Sequence, residues 1–501
     1  MKQLVIKTIV LSLLAILILV FVLDPKFRES NANSKTFNGF QQKIESKEVI
    51  DILIVGSSHA KNTFSPLVID SIFHTNTYNL GTGGQSYKIT NHLLESALLK
   101  TKPKLIVVDL FPALMKLPSV EKSKASQLRV FDYTPISLEK IKLINSIYTF
   151  KEQPSVFSET IRNHDKWFDM NWSYKEFEIN NPKFVYSNGF FNSNKVMNDD
   201  TKIKYQDFNE RHEGFFNPDK PSKGELVKFK KMSEDLKETI EICKKHNVKL
   251  MFVSAPYFPS FYNKHLNKTH SFIKEYLKQE NQMFIDFNEE FLTLGLRLDN
   301  FWNDGHLNLS GSSKVSTRLS QKLSDLNLFK VKDSTYFNNK LNTIVPRTKE
   351  ELERIILSTH ESLISDVINK GITIESDHNF NDSFQLETIY FYINNQFRYV
   401  LLETQDEFKT PFLENNYFLF AKTVNESDFS KRPKWQLGTD KNKLYWEASP
   451  KEIKINDKNY LLFTLEKKCE IVNFDNVRII IKNKESKKNI GKELQLNNIK
   501  I

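Results

Sequence analysis

Cysteine is nearly absent: 501 residues hold two, Cys243 and Cys469. They lie far apart and match no metal-ligand spacing, so no zinc site or disulfide framework organises the chain. Cys243 falls on the apolar side of a predicted helix and reads as a buried thiol. A dense basic run with interleaved aromatics is also missing, and the formal net charge of +10 is modest for this length. Nucleic acid is therefore not an expected partner; the lysine excess reads as a solvated surface able to face acidic polymers or phospholipid. No internal repeat is evident. A hydrophobic content of 40% with 26% charge excludes a disordered chain. The length implies two or three domains.

The longest apolar run is at the N-terminus. Leu4 to Leu23 is apolar apart from Lys7, Thr8 and Ser12. About 20 residues rising about 1.5 Å each span a hydrocarbon core of about 30 Å. Lys2 and Lys7 keep the short leading side cytoplasmic and send the rest outward. A cleaved signal peptide is the rival reading, but no A-x-A-like site follows Leu23, and Asp24-Pro25-Lys26 is a poor cleavage context. Residues 1–29 are thus expected to be a transmembrane anchor, with the chain from about residue 30 periplasmic or extracellular.

From Glu48 to about Leu326, apolar strand-like runs alternate with amphipathic helical stretches. The expected strands are 50–55, 77–80, 104–110, 248–254 and 282–286. A helix begins near Ser222, with Glu225 completing a capping box, and places Leu226, Phe229, Leu236, Ile240 and Cys243 on one face. Continuously apolar strands alternating with helices predict an α/β fold, a doubly wound parallel five-stranded sheet covered on both faces. Residues 112–221 interrupt it as a helical insertion rich in aromatics, among them Trp167, Phe168, Trp172, Tyr174 and Phe177. That insertion is either a side-cap packed by its own aromatics or a lid over the crevice where such sheets bind ligands.

After residue 330 the texture changes. Residues 331–370 form a linker and a helix introduced by Thr348, and 371–501 read as a separate β-rich, sandwich-like domain. Its strands are expected at 386–393, 397–402, 417–424, 460–465 and 477–481, with Asn394-Asn395-Gln396 as a hairpin turn. Trp435 and Trp446 are core aromatics in the plainer reading and a sugar-stacking platform in the other.

Three stretches of the α/β region carry candidate chemistry. "DILIVGSSHAKNTFSP" (51–66) ends an apolar strand in Gly56-Ser57-Ser58-His59 and continues with helical spacing. A serine there sits at a sharp glycine turn, beside free N–H groups and the positive end of a helix dipole, which suits an oxyanion. "YNLGTGGQSY" (78–87) is a second strand ending in a glycine-rich turn, able to bring a further backbone N–H to the same edge, with Gly84 the candidate. "DNFWNDGHLNLSGSSK" (299–314) offers His306 as a base, with Asp304 two residues and Asn303 three residues upstream. His59, Asn303 and Trp302 are expected to line the pocket. The remaining histidines form no ligand-spaced set, and neither a metal nor a cofactor is expected.

Over roughly residues 48–326 the chain resembles the SGNH/GDSL hydrolase superfamily. The resemblance implies Ser58 as nucleophile, Asn79-Leu80-Gly81-Thr82-Gly83-Gly84 as the second block with Gly84 donating to the oxyanion, and His306 as base. It departs from the family in three places. Ser57 stands for the usual Asp, the third strand ends "VVDLFP" where a Gly-x-Asn-Asp block should follow, and the acid spacing is Asp-x-His. Alginate-type O-acetyltransferases of the superfamily also use Asp-x-His, which implies Asp304 as the acid, with a Ser–His dyad as the fallback. Together with the anchor, the resemblance implies a serine-dependent O-acyl (acetyl) transferase or esterase. Its partner would be a cell-envelope or extracellular glycan or acylated polymer, and a multispanning membrane acyltransferase could work beside it. The competing reading is a non-catalytic, glycan-binding or scaffold protein that keeps a hydrolase-like core. A soluble lipase-like esterase is disfavoured, since no apolar acyl-chain groove is readable.

Overall fold

The computed structural model describes residues 2–27, 32–111, 124–168, 184–197, 223–259, 267–303, 305–376, 378–381, 384–393, 397–404, 415–422, 437–440, 443–448, 450–455, 458–466, 473–483 and 489–500. It divides into two units, Met1–Lys349 and Glu350–Ile501.

The first unit is built on strands β1 (Ile52–Val55), β2 (Thr77–Asn79) and β3 (Leu105–Asp109), a hairpin of β4 (Phe184–Ser187) and β5 (Phe190–Ser193), and strands β6 (Lys249–Ser254) and β7 (Met283–Asp286). Every residue of β1, β2 and β3 is buried, the consequence of continuously apolar strands with helices on both faces. The main sheet runs β2-β1-β3-β6-β7 with every pairing parallel, so the doubly wound α/β class read from the sequence is the one observed. In that order the chain reverses direction beside β1, which opens the ligand crevice at its carboxyl end.

On one face, helix Tyr87–Leu98 packs against helix Lys223–Lys245, where Thr239 Oγ1 donates to Asn91 Oδ1 at 2.7 Å. Phe229, Leu236, Ile240 and Cys243 are buried there as their spacing predicts, but Leu226 is exposed, one turn short of where the helix meets the sheet layer. Burial pushes the Cys243 thiol up to about 12. Ser222 and Cys469 lie outside the described residues. On the other face, helix Leu309–Asp325 packs on the short helices Ser58–Thr63 and Pro66–Ile72.

The insertion is not helical throughout. Its described parts are helices, chiefly Lys124–Phe131 and Leu138–Ile147, plus the β4–β5 hairpin. Trp172, Tyr174 and Phe177 lie outside the described residues. The hairpin turns on Asn188 (φ 46°) and Gly189 (φ 82°), the left-handed pair that a two-residue type I′ turn demands. This turn covers the exposed edge of the sheet: Asn188 O accepts from Asn79 N at 2.9 Å, and Asn188 Nδ2 donates to Thr77 O at 3.1 Å.

The N-terminal helix Gln3–Phe27 has a mean hydropathy of 2.9 and is unburied over its apolar window, long and apolar enough to cross a membrane. The second unit begins with helix Lys349–Lys370 and continues as two antiparallel sheets. Strands Phe384–Ile393 and Phe397–Thr404 pair as the expected hairpin, Ile393 opposite Arg398. Their turn residues 394–396, Trp435 and the side chain of Trp446 lie outside the described residues.

Gly189 tests the edge cap. A Cβ there would lie 1.8 Å from Asn79 O on a backbone already at positive φ. Gly189→Ala is expected to destabilise the first unit by about 2 kcal/mol, read as a lowered midpoint in thermal unfolding. An unchanged midpoint would mean that the hairpin does not clamp β2.

Candidate active site

Between Ile52 and Pro66 every residue is buried except Ser58. The strand delivers a fully packed chain to the crevice and leaves one hydroxyl accessible. Gly56 makes the turn at φ 147°, where a Cβ would lie 2.9 Å from Asp109 Cβ and 3.0 Å from Ala60 Cβ. Ser57 then caps the helix Ser58–Thr63, its Oγ accepting from His59 N at 3.2 Å. Ser58 is thereby the first residue of that helix.

The second glycine turn is laid directly on the first. Leu80 N donates to Ile54 O at 2.8 Å and Thr82 N to Gly56 O at 3.2 Å. Asn79 Nδ2 donates to Ala60 O and Phe64 O at 2.8 and 2.9 Å, tying the end of β2 to the Ser58–Thr63 helix. A Cβ on Gly81 would lie 2.7 Å from Lys61 N and 2.9 Å from Ser57 O, so this close approach accepts only glycine. Gly84 sits further along in an exposed turn at φ 70°. The turn is held by Gln127, buried in the helix Lys124–Phe131. Its Nε2 donates to Gly84 O at 3.0 Å and its Oε1 accepts from Ser86 N at 3.1 Å. Gln127 carried no sequence signal, because its partner lies more than 40 residues away in a differently patterned segment.

His306 stands in a small antiparallel pair, β8 (Phe301–Asn303) with β9 (His306–Leu307). Its Nε2 lies 2.8 Å from Ser58 Oγ. The two are brought together by serines of the helix that follows His306. Ser312 and Ser316 Oγ donate to Thr63 O at 2.7 and 3.1 Å, and Ser316 Oγ accepts from Ser65 N at 2.9 Å. The run "HLNLSGSSKVS" thus carries His306 and also binds the far end of the Ser58–Thr63 helix.

The partner of His306 Nδ1 among the described residues is Asn303. Its Oδ1 lies 2.9 Å from Nδ1 and also accepts from the backbone N–H of Gly305 at 3.1 Å and of His306 at 2.9 Å. Two backbone donors require the amide oxygen, not its NH₂ group, at that point. Nδ1 must then carry the proton and donate it, which leaves Nε2 as the acceptor for the Ser58 hydroxyl. Asn303, expected to line the pocket, is thus in contact with His306 Nδ1; Asp304, expected as the acid, lies outside the described residues.

His59 does not line an open pocket, because it is buried. Its ring stacks on Phe111 at 3.6 Å between centroids and on His306 at 4.5 Å, with Tyr257 tilted against it at 4.9 Å. Desolvation, and secondarily the charge of His306, holds its pKa well below the ordinary value, so His59 is a neutral aromatic wall behind His306. Tyr257 is fixed by Asn288, whose Oδ1 accepts from Tyr257 N at 2.8 Å while its Nδ2 donates to Ala255 O at 3.1 Å. Trp302 stands edge-on to His306 at 5.7 Å.

Asp109 ends β3 directly beneath this turn. It is fully buried, with Oδ2 3.5 Å from Ser57 Oγ. Burial pushes its carboxyl up to about 7, opposed by hydrogen bonds from Ala255, Phe111, Ser57 and Ala60. The sequence reading registered "VVDLFP" only as a missing block, yet an acid closing a buried apolar strand signals a buried polar contact. Among the described residues no group of three or more His, Cys, Asp or Glu side chains is placed to hold a metal ion.

No family model and no curated protein matches the chain. Among solved structures it is similar to a Bacteroides fragilis protein assigned as an acylhydrolase, at 10% identity and a TM-score of 0.28, covering 60% of this chain and 99% of that one. It is also similar to a GDSL-like lipase from Bacteroides thetaiotaomicron, at 9% identity and a TM-score of 0.27, covering 58% and 98%.

Two expectations follow from the geometry. Asn303→Asp keeps the acceptor and adds a negative charge beside His306, raising its pKa. The acid limb of kcat/KM for ester cleavage should therefore move up by about one pH unit, whereas Asn303→Ala should lower kcat about a hundredfold. A limb unmoved by Asn303→Asp would show that Asn303 does not face the base. Asp109 binds its proton more tightly folded than unfolded, so stability should fall as pH rises from the ordinary 3.8 to about 7 and level off above. Asp109→Asn should remove that slope in thermal melts; a slope that persists would assign it to other groups.

Proposed function

We propose that the first unit is a serine-dependent acyl-transfer domain, an esterase or O-acyl (acetyl) transferase for a cell-envelope or extracellular glycan. The observation that carries the reading is the Ser58 Oγ to His306 Nε2 contact of 2.8 Å, with the tautomer of His306 set by Asn303. Ser58 would attack the acyl carbonyl while His306 Nε2 takes its proton. The backbone N–H groups of Ser58 and Gly84 are the proposed donors to the tetrahedral oxyanion. Collapse expels the alcohol, which takes the proton back from His306, and leaves an ester on Ser58. A second alcohol, a sugar hydroxyl, or water then resolves that ester by the same steps in reverse order.

The neutral Asn303 has a chemical consequence. It orients His306 but itself supplies no charge to stabilise the imidazolium formed as Ser58 attacks, so this contact gives geometry without the electrostatic help of a carboxylate. This is also what favours the second reading, a binding or scaffold protein that keeps the core without turnover. The N-terminal helix supports membrane attachment with the acyl-transfer domain outside the cytoplasm. The envelope glycan, the acetyl group and a membrane acyltransferase partner belong to the same proposal.

A fluorophosphonate probe and p-nitrophenyl acetate turnover test it directly. The wild type should label and turn over, and Ser58→Ala should abolish labelling. Ser58→Ala and His306→Ala should each lower kcat about a thousandfold or more. Added sugar acceptors that divert the acyl group from water identify a transferase. A folded wild type that neither labels nor cleaves ester leaves the scaffold reading in its place.

A further inference from the structure

The end of the apolar helix is not loose. Asp24, the first polar residue after Leu23, is buried, and its Oδ1 accepts from Ser158 Oγ at 2.6 Å and Thr160 N at 2.9 Å. One turn on, Phe27 O accepts from Asn163 Nδ2 at 2.7 Å. The corner Ser158–Phe168 of the insertion is therefore bolted to the helix where it leaves its apolar stretch. This corner also exposes large apolar side chains: Phe168 is 92% exposed, Trp167 51% and Ile161 38%. The indole Nε1 of Trp167 donates to Thr160 O at 2.9 Å, so the ring is polar-satisfied at one end and bare at the other.

Depth follows from length. The helix of 25 residues is about 37 Å long at 1.5 Å per residue, longer than a hydrocarbon core of about 30 Å. Its last turn thus emerges in the interfacial zone, about 5–8 Å thick on each side. Asp24 lies in that turn, Thr160 is one hydrogen bond from Asp24, and Trp167 is one hydrogen bond from Thr160. An amphipathic indole and a bare phenyl ring at this depth meet headgroups and the upper acyl chains, the environment tryptophan favours.

We propose that the corner of Ile161, Trp167 and Phe168 is a second membrane contact, seated in the lipid interface beside the helix. It rests on the reading of that helix as a retained anchor, and the bonds to Asp24 and Phe27 support it to this extent: cleavage after Phe27 would take partners from Ser158, Thr160 and Asn163. The occupant is the bilayer surface, not a protein, because the bonded helix end fixes the corner at lipid depth whatever else is present.

The test uses the full chain in nanodiscs of phosphatidylethanolamine and phosphatidylglycerol. Phe168→Cys, made in a Cys469→Ser background that leaves buried Cys243, carries a polarity-sensitive fluorophore. Lipids bearing a nitroxide near the headgroup should quench it about twofold or more, while aqueous iodide should quench it little. A label reached by iodide and not by lipid nitroxides overturns the proposal, as does a label shielded from both. In the unlabelled chain, brominated lipids should quench wild-type tryptophan emission more than that of Trp167→Phe; equal quenching counts against it. Intact mass separates the two failures. A chain lacking the residues before Asp24 refutes the anchor itself, whereas an intact, membrane-bound chain with a water-exposed label refutes only the docking corner.

Discussion

Which nitrogen of His306 carries the proton decides whether Ser58 faces a base or another donor. Nothing in the imidazole settles this; the decision is made by the side-chain oxygen of Asn303, which already accepts two backbone N–H groups of the Asn303–His306 turn. Because those donors belong to the turn itself, the amide cannot flip without stranding both. The tautomer is thus fixed by backbone geometry two and three residues away. An aspartate would set the same tautomer and add charge.

Ser58 and His306 stand on a tightly packed floor. Gly56 is pressed on Asp109, Gly81 on Ser57 and Lys61, and the serines of helix Leu309–Asp325 grip Thr63 O. Each contact joins a different strand or helix to the nucleophile turn. Ser58 is the one accessible residue in the run because everything else there is used for packing. Asp109 fits the same economy of space. Burial raises its carboxyl to about 7, so below that pH it sits under Ser57 as a neutral group.

The five strands were legible because buried parallel strands have no polar face to confuse the pattern, and their predicted ends fall within two residues of those observed. Ser58 and His306 were legible from turn chemistry at strand ends. The Asn303 contact was not, because it depends on the β8–β9 pairing that sets Asn303 opposite His306. The Asn188-Gly189 hairpin is the reverse case. Its dipeptide is a strong local signal, but it lies in a segment read as helical, so the cap on β2 went unseen. Gln127 and the burial of His59 arise only from tertiary packing.

The insertion connects features that the sequence kept apart. Within one side-cap, Arg162 pairs with Asp132 at 2.8 Å and donates to Ser155 O at 3.0 Å, and Lys124 pairs with Glu152 at 2.8 Å. The same cap binds Asp24 through Ser158 and Thr160, and the Gly84 turn through Gln127. One packed body therefore touches the end of the apolar helix and one wall of the crevice. The described part of the cap is thus held at both ends, by the bonds to the buried Asp24 carboxylate and by the buried Gln127 on the glycine turn. It joins the Gly84 turn at the crevice to the end of the apolar helix.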